Sequence, residues 1–467
     1  MQLKNLKVLK NKLKYIKARL DFLLIAHPKL SAFVLGLCLK NSFNKSEQFI
    51  WLLIAIPTLL HILEINCKNK VFTVGYWFGY GYFLSTLCWI AQSFKCVGMG
   101  NLGYFAVILL VAYLALFPAL TCYLSNKFNS IITQRVSFAV FWTIFEILRG
   151  YLFTGFPWNL VGYVTYKIPY FAQIADLVTV YGVSFFLLLI LVLLTKKTYK
   201  YSIILTVIIA GYGFYKIELC SEKTKETLNI SIVQPAISQQ SKFDPKNFWD
   251  NLDLHIALSA FGSNKKRLII WAESAVGTTF DPYLMQYVTS QMGKNEILIT
   301  GIDRIENEKI YNSAIAINNK SEFLQVYDKK HLVPFGEYIP KWVSKLGPKK
   351  LTKGMENFTK GNLSKTFNLP GIPLFEVNIC YEIIFPRKVI SSKSSKWILT
   401  ISNDAWFGNT DAPYQHIKTA CFRAIEERKP VVRCANNGIS CIFNKKGEIV
   451  KMLDTDTIGR IDYELHL

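Results

Sequence analysis

Three residue types, far apart in the chain, make a complete set for acyl transfer. Glu273 lies in Trp271-Ala272-Glu273-Ser274-Ala275, directly after the run Leu268-Ile269-Ile270. Lys329 and Lys330 open the string Lys329-Lys330-His331-Leu332-Val333-Pro334-Phe335-Gly336-Glu337. Cys380 lies in Asn378-Ile379-Cys380-Tyr381-Glu382. Glu273 and Cys380 each follow an apolar run and are expected at strand ends. A Cys attacks a carbonyl as thiolate, and its free pKa is about 8.5. A carboxylate beside it can accept the proton as it attacks. A lysine can stabilise the negative oxygen of the tetrahedral intermediate. The set works without a histidine.

Taken singly, each residue has a plainer reading. A Cys after apolar residues is usually a core residue. Lys329 and Lys330 alone are a solvated charge run, and Glu273 alone could cap a helix. The three segments are 56 and 51 positions apart, so only a fold can bring them together.

The elements that must do so begin near residue 227. Short β-rich runs occur at Leu228–Val233, Leu268–Trp271, Ile297–Thr300, Ala314–Ile317, Phe375–Ile379 and Ile398–Ile401. Helical spacing fills Asp244–Phe261, Asp281–Met292 and Tyr414–Glu427. This pattern predicts a layered α/β domain over 220–467, with 218–226 as a charged linker.

The first 219 residues read differently. The chain of 467 residues is 51% apolar and only 18% charged, with a net charge of +22. That composition excludes a disordered chain. Such a positive balance suits nucleic acid or a lipid surface. Its placement decides for lipid: residues 1–219 carry 21 Lys/Arg against 6 Asp/Glu, among hydrophobic runs rather than a nucleic-acid-binding module. A membrane span needs about 20 mostly apolar helical residues. Seven candidates follow, at 22–39, 48–66, 72–92, 103–124, 136–155, 177–195 and 201–217, with 156–172 as a possible eighth. His27, Pro28 and Lys29 predict a break in the first. Gly75-x-x-x-Gly79 in the third reads as close helix packing. The basic tail (Lys4, Lys7, Lys10, Lys12, Lys14, Lys17, Arg19) and the basic alternate loops predict a cytoplasmic N-terminus. An odd number of spans then puts residues after 217 on the outer face. Glu146 and Arg149, three apart in the fifth span, can face one another. We expect either a structural ion pair or, for Arg149, a hold on a phospholipid headgroup. The ten cysteines and six histidines show no metal-ligand spacing, so no metal and no cofactor are expected.

The three segments resemble the Glu–Lys–Cys signatures of the nitrilase (carbon–nitrogen hydrolase) superfamily. The strings Lys329-x-His331-Leu332-Val333-Pro334-Phe335-Gly336-Glu337, Cys380-Tyr381-Glu382-Ile383 and Ser402-Asn403-Asp404-Ala405-Trp406-Phe407-Gly408 resemble apolipoprotein N-acyltransferases. So do Arg433-x-x-Asn436-Asn437-Gly438-Ile439, Leu148-Arg149-Gly150 and Thr154-Gly155-Phe156-Pro157-Trp158. The resemblance implies a polytopic α-helical membrane domain (1–219) followed by a nitrilase-like α-β-β-α sandwich (220–467). It implies an enzyme of the bacterial inner membrane with its catalytic domain on the periplasmic side. That enzyme moves an acyl chain from a phospholipid through a Cys380 thioester to the N-terminal amine of a diacylglyceryl-cysteine lipoprotein. Glu273 is then the base and Lys329, two before His331, the oxyanion stabiliser. Asn312, Glu337, Tyr381, Glu382 and Trp406 fall where the family supports the site or its substrates. We expect a monomer.

Three departures from the family pattern stand out. Trp271-Ala272-Glu273 replaces a usual Trp-Pro-Glu, and Phe243 stands where a Trp is common. The sequence ends at Leu467, where relatives often carry another transmembrane helix; the upstream spans are expected to suffice as anchor. Two rival readings share the same residues: a membrane-tethered amidase or hydrolase, in which water replaces the amine, and a non-catalytic lipoprotein-binding scaffold.

Overall fold

The computed structural model describes residues 21–66, 68–96, 98–195, 197–220, 226–340 and 357–467. The basic tail, Cys67, Lys196 and the middle of the expected linker lie outside the described residues. The chain forms two compact units. A helical unit draws on Met1–Cys88, Tyr104–Val164 and Ser184–Ile208. A sheet unit takes Trp89–Gly103, Thr165–Val183 and Ile209–Leu467.

Among the described residues, four helices are long and apolar enough to cross a membrane: Gly100–Ser125, Ile131–Arg149, Ala175–Val192 and Tyr199–Leu219. The other three expected spans form shorter helices, Pro28–Cys38, Ile50–Ile65 and Val71–Leu87. Sixteen residues of helix reach only about 24 Å, short of a hydrocarbon core of about 30 Å. The break before Pro28 falls where expected, with His27 as the residue preceding the helix. The stretch 156–172 forms no long helix, only the turns Val161–Lys167 and Pro169–Ala172. Ala175–Val192 is broken at Thr179 (φ 61°), and the freed Val180 N–H donates to Glu426 Oε1 at 2.8 Å. Gly75 and Gly79 lie against Pro118, as close helix packing requires.

The sheet unit holds two six-stranded sheets. The first contains β1 (Thr227–Gln234), β2 (Arg267–Ile270), β3 (Glu296–Glu306), β4 (Lys309–Asn318), β5 (Phe323–Asp328) and, across β1, β12 (Gly459–His466). The second runs β11 (Ile449–Leu453), β10 (Ser440–Phe443), β9 (Val431–Ala435), β8 (Trp397–Ser402), β7 (Phe375–Ile379) and β6 (Thr366–Phe367). The strands β1–β2–β3 pair in parallel, as do β7–β8–β9.

Side chains alternate across a strand, and here both faces are buried. Leu268 and Ile270 join Ile299, Val377, Leu399 and Val432 in the core between the sheets. Ile269 and Trp271 face outward, where Leu252, Met285 and Val288 cover them from helices Phe248–Ser259 and Pro282–Ser290. Helix Ala412–Glu427 packs on β9 and β10. The result is an α-β-β-α sandwich. Double burial explains why these strands read as continuous apolar runs rather than alternating ones.

Candidate active site

Chain segments leaving β2, β5, β7 and β8 meet at one end of the sandwich. Beyond β2, Trp271 N–H still bonds Ile299 O at 2.8 Å, and Gly301 N–H bonds Ala272 O at 3.1 Å. Glu273 follows at once. A Cβ on Gly301 would lie 2.5 Å from Glu273 Cα, so only glycine lets the two backbones approach this closely. Lys329 comes one residue after β5, with its N–H on Asn312 O at 2.8 Å. Asn312 itself sits on β4 opposite Asp303 of β3.

The expected residues converge. Lys329 Nζ lies 3.1 Å from Glu273 Oε1 and 2.8 Å from Glu337 Oε1. The Asn312 amide donates to both carboxylates, at 2.8 and 3.0 Å. Asn403, just after β8, gives its backbone N–H to Glu273 Oε2 at 2.9 Å. Glu337 Oε2 receives Val333 N–H at 2.7 Å, which closes the turn that carries it. Lys329 rather than Lys330 reaches Glu273, and its side chain is only 1% exposed.

These contacts fix charge states. Burial opposes ionisation of Glu273, but Lys329, the Asn312 amide and Lys242 outweigh it and hold the carboxyl below its usual range. Burial likewise works against a charged Lys329, yet Glu273 and Glu337 hold its pKa well above the ordinary lysine value. Glu273 is thus ionised and Lys329 protonated at neutral pH.

Cys380 is partly accessible and free of any disulfide. Burial pushes its thiol pKa up, and the Glu273 charge adds to the rise while Lys329 opposes it. The resting group is a neutral thiol that needs a base to become a nucleophile. Its backbone has φ 50°, in the left-handed region. L-residues visit that region rarely, and strain there clusters at functional sites.

Glu382 ties the lysine and cysteine segments together. Its Oε1 accepts from Tyr327 OH at 2.7 Å, Lys330 N–H at 2.9 Å and His331 N–H at 3.1 Å. Its Oε2 accepts from Ile379 N–H at 2.9 Å. This buried carboxylate is therefore a staple. The Tyr381 ring packs beside His331 and Phe385, with centroids 5.7 and 5.3 Å away. Trp406 lies in the turn Asp404–Phe407 after β8, and its carbonyl accepts from Ser93 Oγ at 3.1 Å. Arg149 lies in the helical unit. Its Nη1 donates to Trp158 O at 2.7 Å and Phe156 O at 3.1 Å, and the guanidinium lies 5.1 Å from the Phe83 ring centre. Phe243 is half exposed.

Sequence reasoning missed four participants. Lys242 buries its ammonium and donates to Glu273 O at 2.9 Å; burial pulls its pKa down to about 8. Asp303, raised to about 6 by burial, accepts from Ser274 Oγ at 3.0 Å. Asn403 acts through its backbone, which no residue type reveals. His416 comes into contact with Asp404 from a helix twelve residues on. Lys242 sits beside Phe243 in an ordinary polar segment, with no local signal at all.

Two packed sheets that bring a Glu, a Lys and a Cys together at strand ends define a carbon–nitrogen hydrolase domain, and the Carbon-nitrogen hydrolase family model matches residues 229–467. The model for the Apolipoprotein N-acyltransferase N-terminal domain matches residues 35–193. Whole-chain relatives agree. Apolipoprotein N-acyltransferase of Rickettsia bellii is 34% identical, covering 93% of this chain and 91% of its own. That of Rickettsia typhi is 35% identical with the same coverage, and that of Allorhizobium ampelinum is 32% identical over 89% of this chain and 84% of its own. The chain belongs to the apolipoprotein N-acyltransferase family; it is an acyltransferase enzyme and a membrane protein.

Proposed function

We propose that Cys380 carries the acyl group as a thioester between a phospholipid donor and the N-terminal amine of a diacylglyceryl-cysteine lipoprotein. The observation that carries this reading is the Lys329–Glu273 pair, at 3.1 Å, whose charges both act on the Cys380 thiol. Glu273 takes the thiol proton as sulfur attacks the donor's ester carbonyl. Lys329 steadies the negative oxygen that forms. The ester C–O bond breaks, and the proton passes to the departing lysophospholipid oxygen. The amine then attacks the thioester, the C–S bond breaks, and Glu273 conducts the amine proton back to sulfur. Near pH 7 the acceptor amine, with a free pKa of about 7.7–8.0, has an appreciable neutral fraction.

Asn312 and Glu337 hold Glu273 and Lys329 in place, and Glu382 joins their segment to that of Cys380. Tyr381 and Trp406 line the approach of the lipid substrates. Arg149 contacts the donor headgroup with the part of its guanidinium that the Phe156 and Trp158 carbonyls do not take. Residues 220–467 form the catalytic domain and face the periplasm, with 1–219 as a monomer's anchor in the inner membrane. The basic alternate loops support that orientation.

The test uses the purified membrane protein and a phospholipid with a labelled acyl chain. Hydroxylamine-labile label is expected on wild type and absent from Cys380→Ala. A diacylated lipopeptide should then chase the label onto its amine. Release only as free fatty acid would favour the amidase-type reading, and no label at all the scaffold.

A further inference from the structure

Behind Cys380 lies a second buried polar cluster that the mechanism above leaves unused. Asp404 Oδ2 is 2.5 Å from Arg433 Nη2, and its Oδ1 is 3.2 Å from His416 Nδ1. Ser402 Oγ donates to the same Oδ1 at 2.7 Å. Arg433 Nη2 and His416 Nδ1 are 3.1 Å apart. The side chains of all four residues are buried, those of Asp404 and Arg433 completely. A Cβ on Gly438 would lie 2.6 Å from Asp404 Cβ, so the Asn437-Gly438 turn closes directly over the carboxylate.

Burying an arginine and an aspartate together costs more desolvation than their attraction is sure to return. A well-packed apolar trio would serve the core as well. What the cluster touches distinguishes it from a structural ion pair. In the parallel pairing of β7 and β8, Ile379 lies opposite Ile401, so Cys380, the first residue after β7, follows beside Ser402, the last of β8. The Ser402 hydroxyl lowers the Cys380 thiol pKa against the effect of burial. The Cys380 backbone raises the His416 pKa, against the effect of burial. The cluster therefore lies against the nucleophile, at a residue whose φ of 50° needs holding. A carboxylate only accepts hydrogen bonds. The Ser402 hydroxyl is thus anchored on Asp404, which fixes it beside the sulfur.

We propose that Asp404, His416 and Arg433, acting through the Ser402 hydroxyl, position the Cys380 sulfur for attack on the acyl donor. They are positioning residues: none has to touch substrate. This inference rests on the reading of Cys380 as nucleophile. It also gives the string from Ser402 to Asp404 a use residue by residue. Ser402 aims the sulfur, the Asn403 backbone holds Glu273, and Asp404 anchors Ser402.

The experiment measures single-turnover transfer of labelled acyl chain from phospholipid to the full-length enzyme, alongside thermal melting and the pH profile of Cys380 alkylation. Ser402→Ala is expected to slow thioester formation about tenfold, the scale of one lost hydrogen bond, and to shift the alkylation midpoint while melting near wild type. Asp404→Asn is expected to slow it at least as much. Ser402→Thr keeps the hydroxyl and should recover most of the rate. Wild-type acylation and alkylation in Ser402→Ala would overturn the inference, as would a Thr variant that melts normally yet is as slow as Ala. Label persisting on Cys380→Ala would instead overturn the nucleophile reading, so the two failures can be told apart.

Discussion

In the sheet unit, Lys329 Nζ lies between two carboxylates, 3.1 Å from Glu273 and 2.8 Å from Glu337. In the helical unit, Arg149 gives its Nη1 to two backbone carbonyls, and Glu146 Oε1 receives Trp142 Nε1 at 3.1 Å and Val161 N–H at 2.8 Å. Each unit buries an acid and a base close together in sequence or space, and each uses them differently. After helix Ile131–Arg149 the chain turns through Phe153, Thr154 and Gly155, all at positive φ. The carbonyls and N–H groups that follow have no helical partners. Polar backbone without water must be satisfied by protein, and Glu146 and Arg149 supply that. In the sheet unit Lys329 and the carboxylates of Glu273 and Glu337 instead face one another and keep their chemistry. Lysine against carboxylate makes a site; arginine against carbonyl makes a brace.

Lys329→Met tests the first half of this contrast and should have the largest effect. It leaves Glu273 and Glu337 buried with only the Asn312 amide between them. Removing one partner of a buried ion pair costs about 3–5 kcal/mol, and loss of the oxyanion contact about 10²–10³ in rate. Thermal melting and single-turnover acylation would show both. The pH dependence carries a sign. Glu273's folded pKa lies below its unfolded one, so its share of stability is present above the usual carboxylate range and is lost as pH falls through the folded value. Lys329's is raised, so its share is present below the usual lysine range and is lost as pH climbs through the folded value. The melting difference between wild type and Lys329→Met should therefore hold across neutral pH and shrink in acid. A variant that melts like wild type would show that the charges do not meet.

Glu273→Gln separates a base from a mere neighbour. Acylation should fall about 10²–10⁴-fold, the usual scale for a lost general base. Thiol alkylation should move the other way. The Glu273 charge holds the Cys380 pKa up, so its removal should shift the alkylation midpoint to lower pH. A midpoint that stays or rises would break the assignment.

Arg149→Ala sharpens the other side. Leaving the Phe156 and Trp158 carbonyls without their donor should cost about 1–3 kcal/mol, read as a lower melting temperature in detergent. If Arg149 also holds the donor headgroup, the apparent KM for phospholipid rises while the maximal acylation rate stays. A melting change with an unaltered KM would leave Arg149 as brace alone.

The contrast also explains what could be read from sequence. The fold class was legible because β1, β2, β3, β7 and β8 are buried on both faces and show as apolar runs. The edge strand β11 was not: every residue but its last is exposed. In β9 the buried Arg433 interrupts the run, and nothing local says that its partner is Asp404, 29 positions away. At the site, Glu273, Lys329 and Cys380 announced themselves by type and by strand-end position. Glu382 falls where the resemblance puts support for the site, but its role as a staple rests on four donors from two segments far apart in sequence. Three of the expected spans fall short as helices: Pro28 starts one late, Asn66 follows the end of another, and the third stops at Leu87, with Cys88 and Trp89 before the next helix. Hydropathy over a window registers none of that.

The smallest effect is expected at Ala272, the residue before Glu273. Ala272 is buried, and its carbonyl accepts Gly301 N–H at 3.1 Å. Among the described residues its own N–H makes no backbone hydrogen bond outside the ladders, so proline removes no donor in use. In the helical unit, by contrast, Pro157 stands between the two carbonyls that Arg149 holds, where ring and brace act on the same turn. In the sheet unit Glu273 is placed by what its carboxylate binds: Lys329, Asn312 and the Asn403 N–H. Stiffening the peptide before it should therefore add little. Ala272→Pro is expected to keep the acylation rate within about twofold and to raise stability by at most about 0.4–1 kcal/mol, through the unfolded chain. A loss of tenfold or more would mean that backbone freedom before Glu273 matters to the reaction, and that side-chain contacts alone do not place the base.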